Sequence, residues 1–204
     1  MTTPLFRVIP VPLPASPEHI SSYASIRLTA LSTNPETFGS SFGRESAFTP
    51  EIWRLRVNTK ERTTLAAIKN ATEGQWVGTL SVLWPELLLK DSKGRLSYPP
   101  QIKEAEDSGL VDVFMLVGMW VHPDYRKLGV GRALIEHALE IVKSHSSEES
   151  EKENVERRRT VLLEVCKDNE TAIKLYGKAG FSKQHRGEVE DENTEIEWMA
   201  RTVN

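Results

Sequence analysis

The chain has 204 residues, the length of one domain with room for insertions. Its net charge of −3 excludes a global attraction to nucleic acid or acidic membrane, and 39% hydrophobic residues suffice for a core. The one cysteine, Cys166, excludes an intrachain disulfide and points to a reducing interior.

No apolar stretch approaches the roughly 18 residues of a membrane span. Met1-Thr2-Thr3-Pro4 lacks the charged and apolar regions of a signal peptide. These features predict a soluble protein of the cytoplasm or nucleus, folded as a single domain over 1–204, with no nucleic-acid or membrane partner.

Leu5 to Ile9 reads as a short strand, ended by prolines at 10, 12 and 14. Ser16-Pro17-Glu18 starts a helix: an N-cap, a proline in the first turn, then an acid near the positive pole. It is predicted to run to Leu31, with Ile20, Tyr23, Ala24, Arg27 and Leu31 on one stripe, and Asn34-Pro35 stops it. Phe38 to Phe42 is a small polar loop with two aromatics, either a connector or a lining for a pocket. Thr49-Pro50-Glu51 repeats the capped-helix signature.

Thr64 to Ile68 and Trp76 to Trp84 read as strands joined by a hairpin. Residues 85–110 lose periodicity and are predicted to be an inserted, partly mobile loop on the sheet edge, with Leu87-Leu88-Leu89 either packed locally or part of a surface. Asp112 to Val121 is apolar at nearly every position, as in a strand covered on both faces; Gly118 inside it suggests a bulge or close backbone approach.

A helix is predicted over 130–143, with Val130, Ala133, Leu134, Ala138 and Ile141 inward and His137 at the core edge. Residues 144–159 form a second insertion, a solvated linker. Thr160 to Cys166 is the next strand. Asp168 is predicted to cap a helix reaching Lys178, with Gly180 ending it. Phe181 opens a further strand, 186–193 is a polar hairpin, and Glu195 to Arg201 closes the sheet. His19, His122, His137, His145 and His185 show no metal-ligand spacing, so no metal is expected.

The chemistry is concentrated at the junction of the 113–121 strand and the helix that follows. Arg126-Lys127-Leu128-Gly129-Val130-Gly131-Arg132 is a basic turn with two glycines opening a helix. Helix N-terminal N–H groups point at an anion and the macrodipole favours negative charge. Gly129 and Gly131 let backbone come close, and Arg126, Lys127 and Arg132 add positive charge. The pattern suits a pyrophosphate. It lacks the Gly-Lys-Ser/Thr of a Walker site and the glycine spacing of a dinucleotide fingerprint.

The spacing Arg-x-x-Gly-x-Gly resembles the acyl-CoA loop of the GCN5-related N-acetyltransferase (GNAT) family. Glu164 to Phe181 looks like a second signature segment of that family: a strand, Asn169, Ala172, then Leu175-Tyr176 and Gly180-Phe181. The two segments stand in the family's order, and the element order of nearly the whole chain is similar. The resemblance implies an α/β (α+β) GNAT fold, a mixed central sheet of about six to seven strands flanked by about four helices. It implies acetyl-CoA as cosubstrate and direct acetyl transfer to a primary amine of a small molecule, a protein N-terminus or a lysine. A non-catalytic acetyl-CoA sensor or scaffold is the alternative. A homodimer through edge strands is left open.

Residue by residue, the resemblance makes Tyr176 the general acid at the cofactor sulfur; a core aromatic is the plainer reading. Glu164 is the candidate base through water, at the offsets found in the family's ribosomal-protein-alanine acetyltransferase branch, or else a solvated strand-end glutamate. Asp112 is the reserve. The resemblance gives Asn169 a hydrogen bond to the pantetheine arm, against simple capping. It gives the backbone of Met119 and Val121 pairing with that arm, and residues 126–132 the pyrophosphate. Cys166 reads as a packed thiol rather than a nucleophile.

Overall fold

The computed structural model describes residues 5–70, 74–89, 99–145, 157–185 and 195–203. The strands are β1 (Phe6–Pro10), β2 (Arg62–Lys69), β3 (Trp76–Leu83), β4 (Val111–Val121), β5 (Arg158–Cys166), β6 (Ser182–Gln184) and β7 (Ile196–Val203). The helices among the described residues are α1 (Pro17–Thr33), α2 (Phe42–Ser46), α3 (Pro50–Val57), α4 (Pro85–Leu89), α5 (Pro100–Asp107), α6 (Val130–Ser144) and α7 (Glu170–Lys178). Short 3-10 turns cover Pro35–Thr37 and Pro123–Tyr125.

The seven strands form one mixed sheet in the order β1-β2-β3-β4-β5-β7-β6. β1 and β2 run antiparallel from Phe6↔Lys69. The parallel β4–β5 register runs from Val111↔Arg158 to Leu116↔Leu163. β7 lies antiparallel to both β5 and β6. The C-terminal strand therefore does not close the sheet edge, as expected from sequence; it inserts between β5 and β6, which takes the edge. The predicted hairpin at 186–193 lies outside the described residues.

The described residues group into two compact units. One draws on Met1–Val82 and Gly118–His137, the other on Leu83–Val117 and Ala138–Asn204. The first unit has an aromatic core. Tyr23 of α1 meets Trp53 of α3 and Trp76 of β3 edge-on, at centroid distances of 6.0 and 6.4 Å. Ile26, Ala30, Val57, Ala66 and Trp120 complete it. Each such ring pair adds about 0.5–1.5 kcal/mol beyond area burial. Both capped starts are present, Ser16 Oγ accepting from His19 N and Thr49 Oγ1 from Ile52 N.

The second unit has a mainly aliphatic core of Val111, Val113, Met115, Leu162 and Ala200 around Trp198, with Leu88 of α4 and Ile102 of α5 buried against it. The stretch 85–110, predicted to be an irregular loop at the sheet edge, thus carries two helices on the face formed by β4, β5 and β7. Each starts at a proline in its first turn, where the missing N–H costs nothing. Leu89 is exposed and Leu88 buried, so the leucine triplet packs locally through its middle residue.

α6 buries Val130, Leu134, Ile135, Ala138, Leu139 and Val142. The buried stripe is rotated from the one expected: Ala133 and Ile141 are half-buried, and His137 is exposed, with Nδ1 2.9 Å from the Ala133 carbonyl oxygen.

Candidate functional site

Two sets of predicted residues emerge, one in each unit. The first is the end of β4 and the turn into α6. Gly118 sits inside β4 with φ +63°, a conformation that breaks regular strand geometry and that side chains rarely adopt. Past the strand, His122 caps the 3-10 turn, its Nδ1 3.3 Å from Asp124 N. Lys127 then takes φ +61° and Gly129 φ +86°. A lysine in the left-handed region is uncommon and marks local strain. The space beside Gly129 is open, with no atom within 4 Å of where its Cβ would lie. Arg126, Lys127, Leu128 and Gly129 are exposed, and Val130 anchors the helix start in the core. The first turn of α6 carries no acidic residue. Its first N–H groups have no intrahelical acceptors. Arg132 is exposed and pairs along the helix with Glu136, 2.7 Å away.

Arg126 is turned away from that opening. Its Nε donates to the Val121 carbonyl at 3.1 Å and its Nη2 to Asn34 Oδ1 at 2.7 Å. The same Oδ1 accepts from Trp120 Nε1 at 3.1 Å. Asn34, the C-cap of α1, therefore ties that helix to the end of β4 and to the basic turn. The tie is not legible in the sequence, because 92 positions separate Asn34 from Arg126.

The second set lies around β5 and α7. Glu164 on β5 is exposed and stands opposite Trp198 in the β5–β7 register. The N-cap of α7 is Asn169, not Asp168 as predicted: Asn169 Oδ1 accepts from Ala172 N at 3.1 Å. Both residue types cap well, and the register of Ala172 decides between them. Tyr176 is the buried residue of α7, with its ring edge-on to Phe181 at 5.9 Å. Burial alone pushes its phenol well above the ordinary tyrosine value, so the hydroxyl stays protonated. Asp112, the reserve base, is engaged by Arg157 at 3.6 Å. Cys166 is a half-buried free thiol.

One charged cluster has no counterpart in the sequence reading. The stretch predicted as a loop at 38–42 leads into α2, whose Ser41 cap accepts from Arg44 N at 3.2 Å. α2 carries Glu45, which is 1% exposed. Arg27 grips it with two hydrogen bonds, Nε at 3.0 Å and Nη2 at 2.8 Å. Arg56 approaches the same carboxylate at 3.3 Å. Burial opposes ionisation of Glu45, but the bond and charge from Arg27, with Ser40 and Arg56, outweigh it and hold the carboxyl below its ordinary value. Arg27 stands on the predicted stripe of α1; its acidic partner, 18 positions on, leaves no local signal.

Among the described residues no group of three metal-ligating side chains forms, and no helix is long and apolar enough to cross a membrane.

Residues 100–183 match the family model described as an acetyltransferase (GNAT) domain, a stretch holding both the basic turn and α7. The [ribosomal protein bS18]-alanine N-acetyltransferase of Escherichia coli K12 is 38% identical over 74 residues, 36% of this chain and 43% of that one. The peptidyl-lysine N-acetyltransferase YjaB of the same strain is 33% identical over 73 residues, 36% of this chain and 39% of that one. The chain thus spans less than half the length of these curated relatives. Arabidopsis thaliana NAA60, solved with a bisubstrate analogue, shares the fold at a TM-score of 0.60 and 16% identity, over 98% of this chain and 99% of that one. The stretch 100–183 is thus similar to a GNAT acetyltransferase domain across both signature segments, and the chain shares the fold of a GNAT-type structure along its length.

Proposed function

We propose that the protein is an N-acetyltransferase that moves the acetyl group of acetyl-CoA onto a primary amine by direct attack in a ternary complex. The amine belongs to a small molecule, a protein N-terminus or a lysine. The observation that carries this reading is the open N-terminus of α6: an exposed left-handed turn, space beside Gly129, and no acid in the first turn. These residues fit the pyrophosphate of a coenzyme A thioester, which N–H groups of a helix start receive well. Leu128, Gly129, Val130, Gly131 and Arg132 offer the backbone; Lys127 and Arg132 supply charge; Arg126 braces the turn through Asn34 and Val121. The main chain of Met119 and Val121 would hold the pantetheine arm as a pseudo-strand, aided by the Nδ2 amide of Asn169, whose Oδ1 is already committed to its helix.

For transfer, the amine must be neutral and the departing sulfur must gain a proton. Glu164, exposed on β5, takes a proton from the amine through water. A carbon–nitrogen bond forms as the carbon–sulfur bond breaks. Tyr176, kept protonated by its burial, gives its proton to the leaving sulfur. Backbone N–H groups of β4 next to Gly118 are the fixed donors for the acetyl oxygen as charge develops there.

Calorimetry of the purified protein with acetyl-CoA tests the reading first. Micromolar binding is expected, weakened roughly hundredfold by Lys127→Glu/Arg132→Glu. Absence of binding overturns it. Binding without turnover across an amine panel replaces it with the sensor reading.

A further inference from the structure

Lys127 holds a conformation that a lysine leaves when it can. At φ +61° its Cβ crowds the backbone, and such a residue persists only where the chain on both sides over-determines it. Downstream the hold is plain. Ala133 N donates to the Gly129 carbonyl at 3.0 Å, and Val130, 1% exposed, plants α6 in the core. Upstream, the 3-10 turn supplies one main-chain bond, from Arg126 N to the Pro123 carbonyl at 3.1 Å. The rest of the upstream hold runs through the Arg126 side chain.

That side chain is exposed and reaches back over the turn to the Val121 carbonyl and to Asn34 Oδ1. A surface arginine left to itself keeps its rotamer freedom. Asn34 is a firmer anchor. It is half-buried, and as the C-cap of α1 its N–H donates to the Ala30 carbonyl at 2.9 Å. Its Oδ1 is fixed by the indole N–H of Trp120, a residue 5% exposed. The 2.7 Å bond from Arg126 Nη2 to that oxygen is charge-assisted, the stronger kind. Asn34 thus turns a surface arginine into a strut, and the strut's foot is the residue before Lys127.

We infer that Asn34 is a positioning residue for the cosubstrate: through Arg126 it holds Lys127 in the left-handed conformation that turns the N–H groups at the start of α6 toward the pyrophosphate. This deepens the transfer reading proposed above and rests on it. Successive N–H groups converge on one anion where a left-handed residue interrupts right-handed backbone. Were Lys127 to relax to a negative φ, the peptide planes on either side of it would rotate. The N–H groups of Leu128 and Gly129 would then lose their common direction. A turn held in its binding shape beforehand spares the ligand the cost of ordering it. The strut also keeps the Arg126 guanidinium facing α1, so Arg126 serves the anion by geometry and leaves the charge to Lys127 and Arg132.

Calorimetry with acetyl-CoA tests the inference through a strain-relief cycle. Asn34→Ala should weaken binding about threefold to tenfold, the worth of one hydrogen bond. Asn34→Asp keeps an acceptor for both Trp120 and Arg126 and should recover most of that loss. Lys127→Gly gives up a cation and binds more weakly than the parent, but glycine adopts the left-handed turn without strain. In that background Asn34→Ala should cost less than about twofold more, a departure from additivity that marks the coupling. A residue that merely supports the fold would show the same loss in both backgrounds, so equal losses overturn the inference. Unchanged affinity in folded Asn34→Ala overturns it as well. So does tighter binding, the result if Arg126 left Asn34 to serve the anion itself. Thermal melts verify that each variant folds; should Asn34→Ala fail, Arg126→Met cuts the strut at its other end and replaces it in the cycle. These outcomes leave the transfer reading standing. A parent that binds no acetyl-CoA overturns that reading, and this inference with it.

Discussion

Two helices in this molecule begin in opposite ways. α7 closes its own N-terminus: Asn169 caps it through Ala172 N, and Glu170 sits in the first turn, paired with Lys174 at 2.7 Å. α6 closes nothing. It follows a left-handed glycine, has no acid in its first turn, and presents exposed Lys127 and Arg132. A terminus whose donors are met by its own side chains stabilises the fold; one left open costs about 0.5–2 kcal/mol relative to a good cap. An open, cationic terminus is therefore a place where an outside anion completes the helix. On the proposed reading, binding falls to α6 and chemistry to α7, through Tyr176 two turns on.

The largest expected effect separates those roles. Tyr176→Phe should lower kcat about 100-fold, the low end for losing a general acid, with the acetyl-CoA Kd within about twofold. The pH dependence carries a sign. The folded phenol is raised above its unfolded value of about 10. Its contribution to stability is then fully present below pH 10 or so and is lost as pH climbs through the folded value. The alkaline fall in Tm should accordingly flatten in Tyr176→Phe. A kcat unchanged by the substitution would return Tyr176 to the core.

A smaller effect comes from making α6 resemble α7. Gly129→Asp places an anion at the open terminus, and Gly129→Asn is its neutral control; both side chains tolerate the left-handed region. Acetyl-CoA should bind about tenfold more weakly to the Asp variant and about threefold more weakly to the Asn variant, with little change in Tm. Equal affinities for Asp and Asn would mean that no anion sits there.

Local chemistry makes these two helices legible in the sequence. Glycine spacing, basic residues and a following apolar stripe are all within 15 residues of one another, and so are Asn169, Tyr176 and Gly180. What stays hidden depends on pairings remote in sequence. The helices that start at Pro85 and Pro100 leave no periodicity in 85–110, since Leu88 and Ile102 gain their burial from β4, β5 and β7. β7 lies between β5 and β6 because of tertiary pairing, on which chain order is silent. The stripe of α6 departs from expectation because its apolar residues exceed one face, and only packing picks Ile135, Leu139 and Val142 over Ala133 and Ile141. Arg27 is a charge on an otherwise largely apolar stripe, and Glu45 and Arg56 look like ordinary surface charges, until α1, α2 and α3 pack together.

The smallest effect probes whether α7, for all its self-sufficiency, also touches the cosubstrate. Asn169→Ala removes the cap and should cost about 1 kcal/mol, a Tm loss of about 2–4 °C for a chain of this size. Asn169→Asp keeps an acceptor for Ala172 N and adds a charge that the helix dipole favours, so its Tm should equal or exceed that of the parent. The same change replaces the Nδ2 donor with an oxygen. If Nδ2 serves the pantetheine arm, the two variants should diverge in stability yet agree in binding, each with acetyl-CoA affinity reduced about threefold to tenfold, the worth of one hydrogen bond. If Asn169 is a cap alone, Asn169→Asp should bind as the parent does. A stabilised variant with weakened binding can arise only from a residue that faces both its own helix and a ligand, so that combination would place α7 in the binding site as well as in the chemistry.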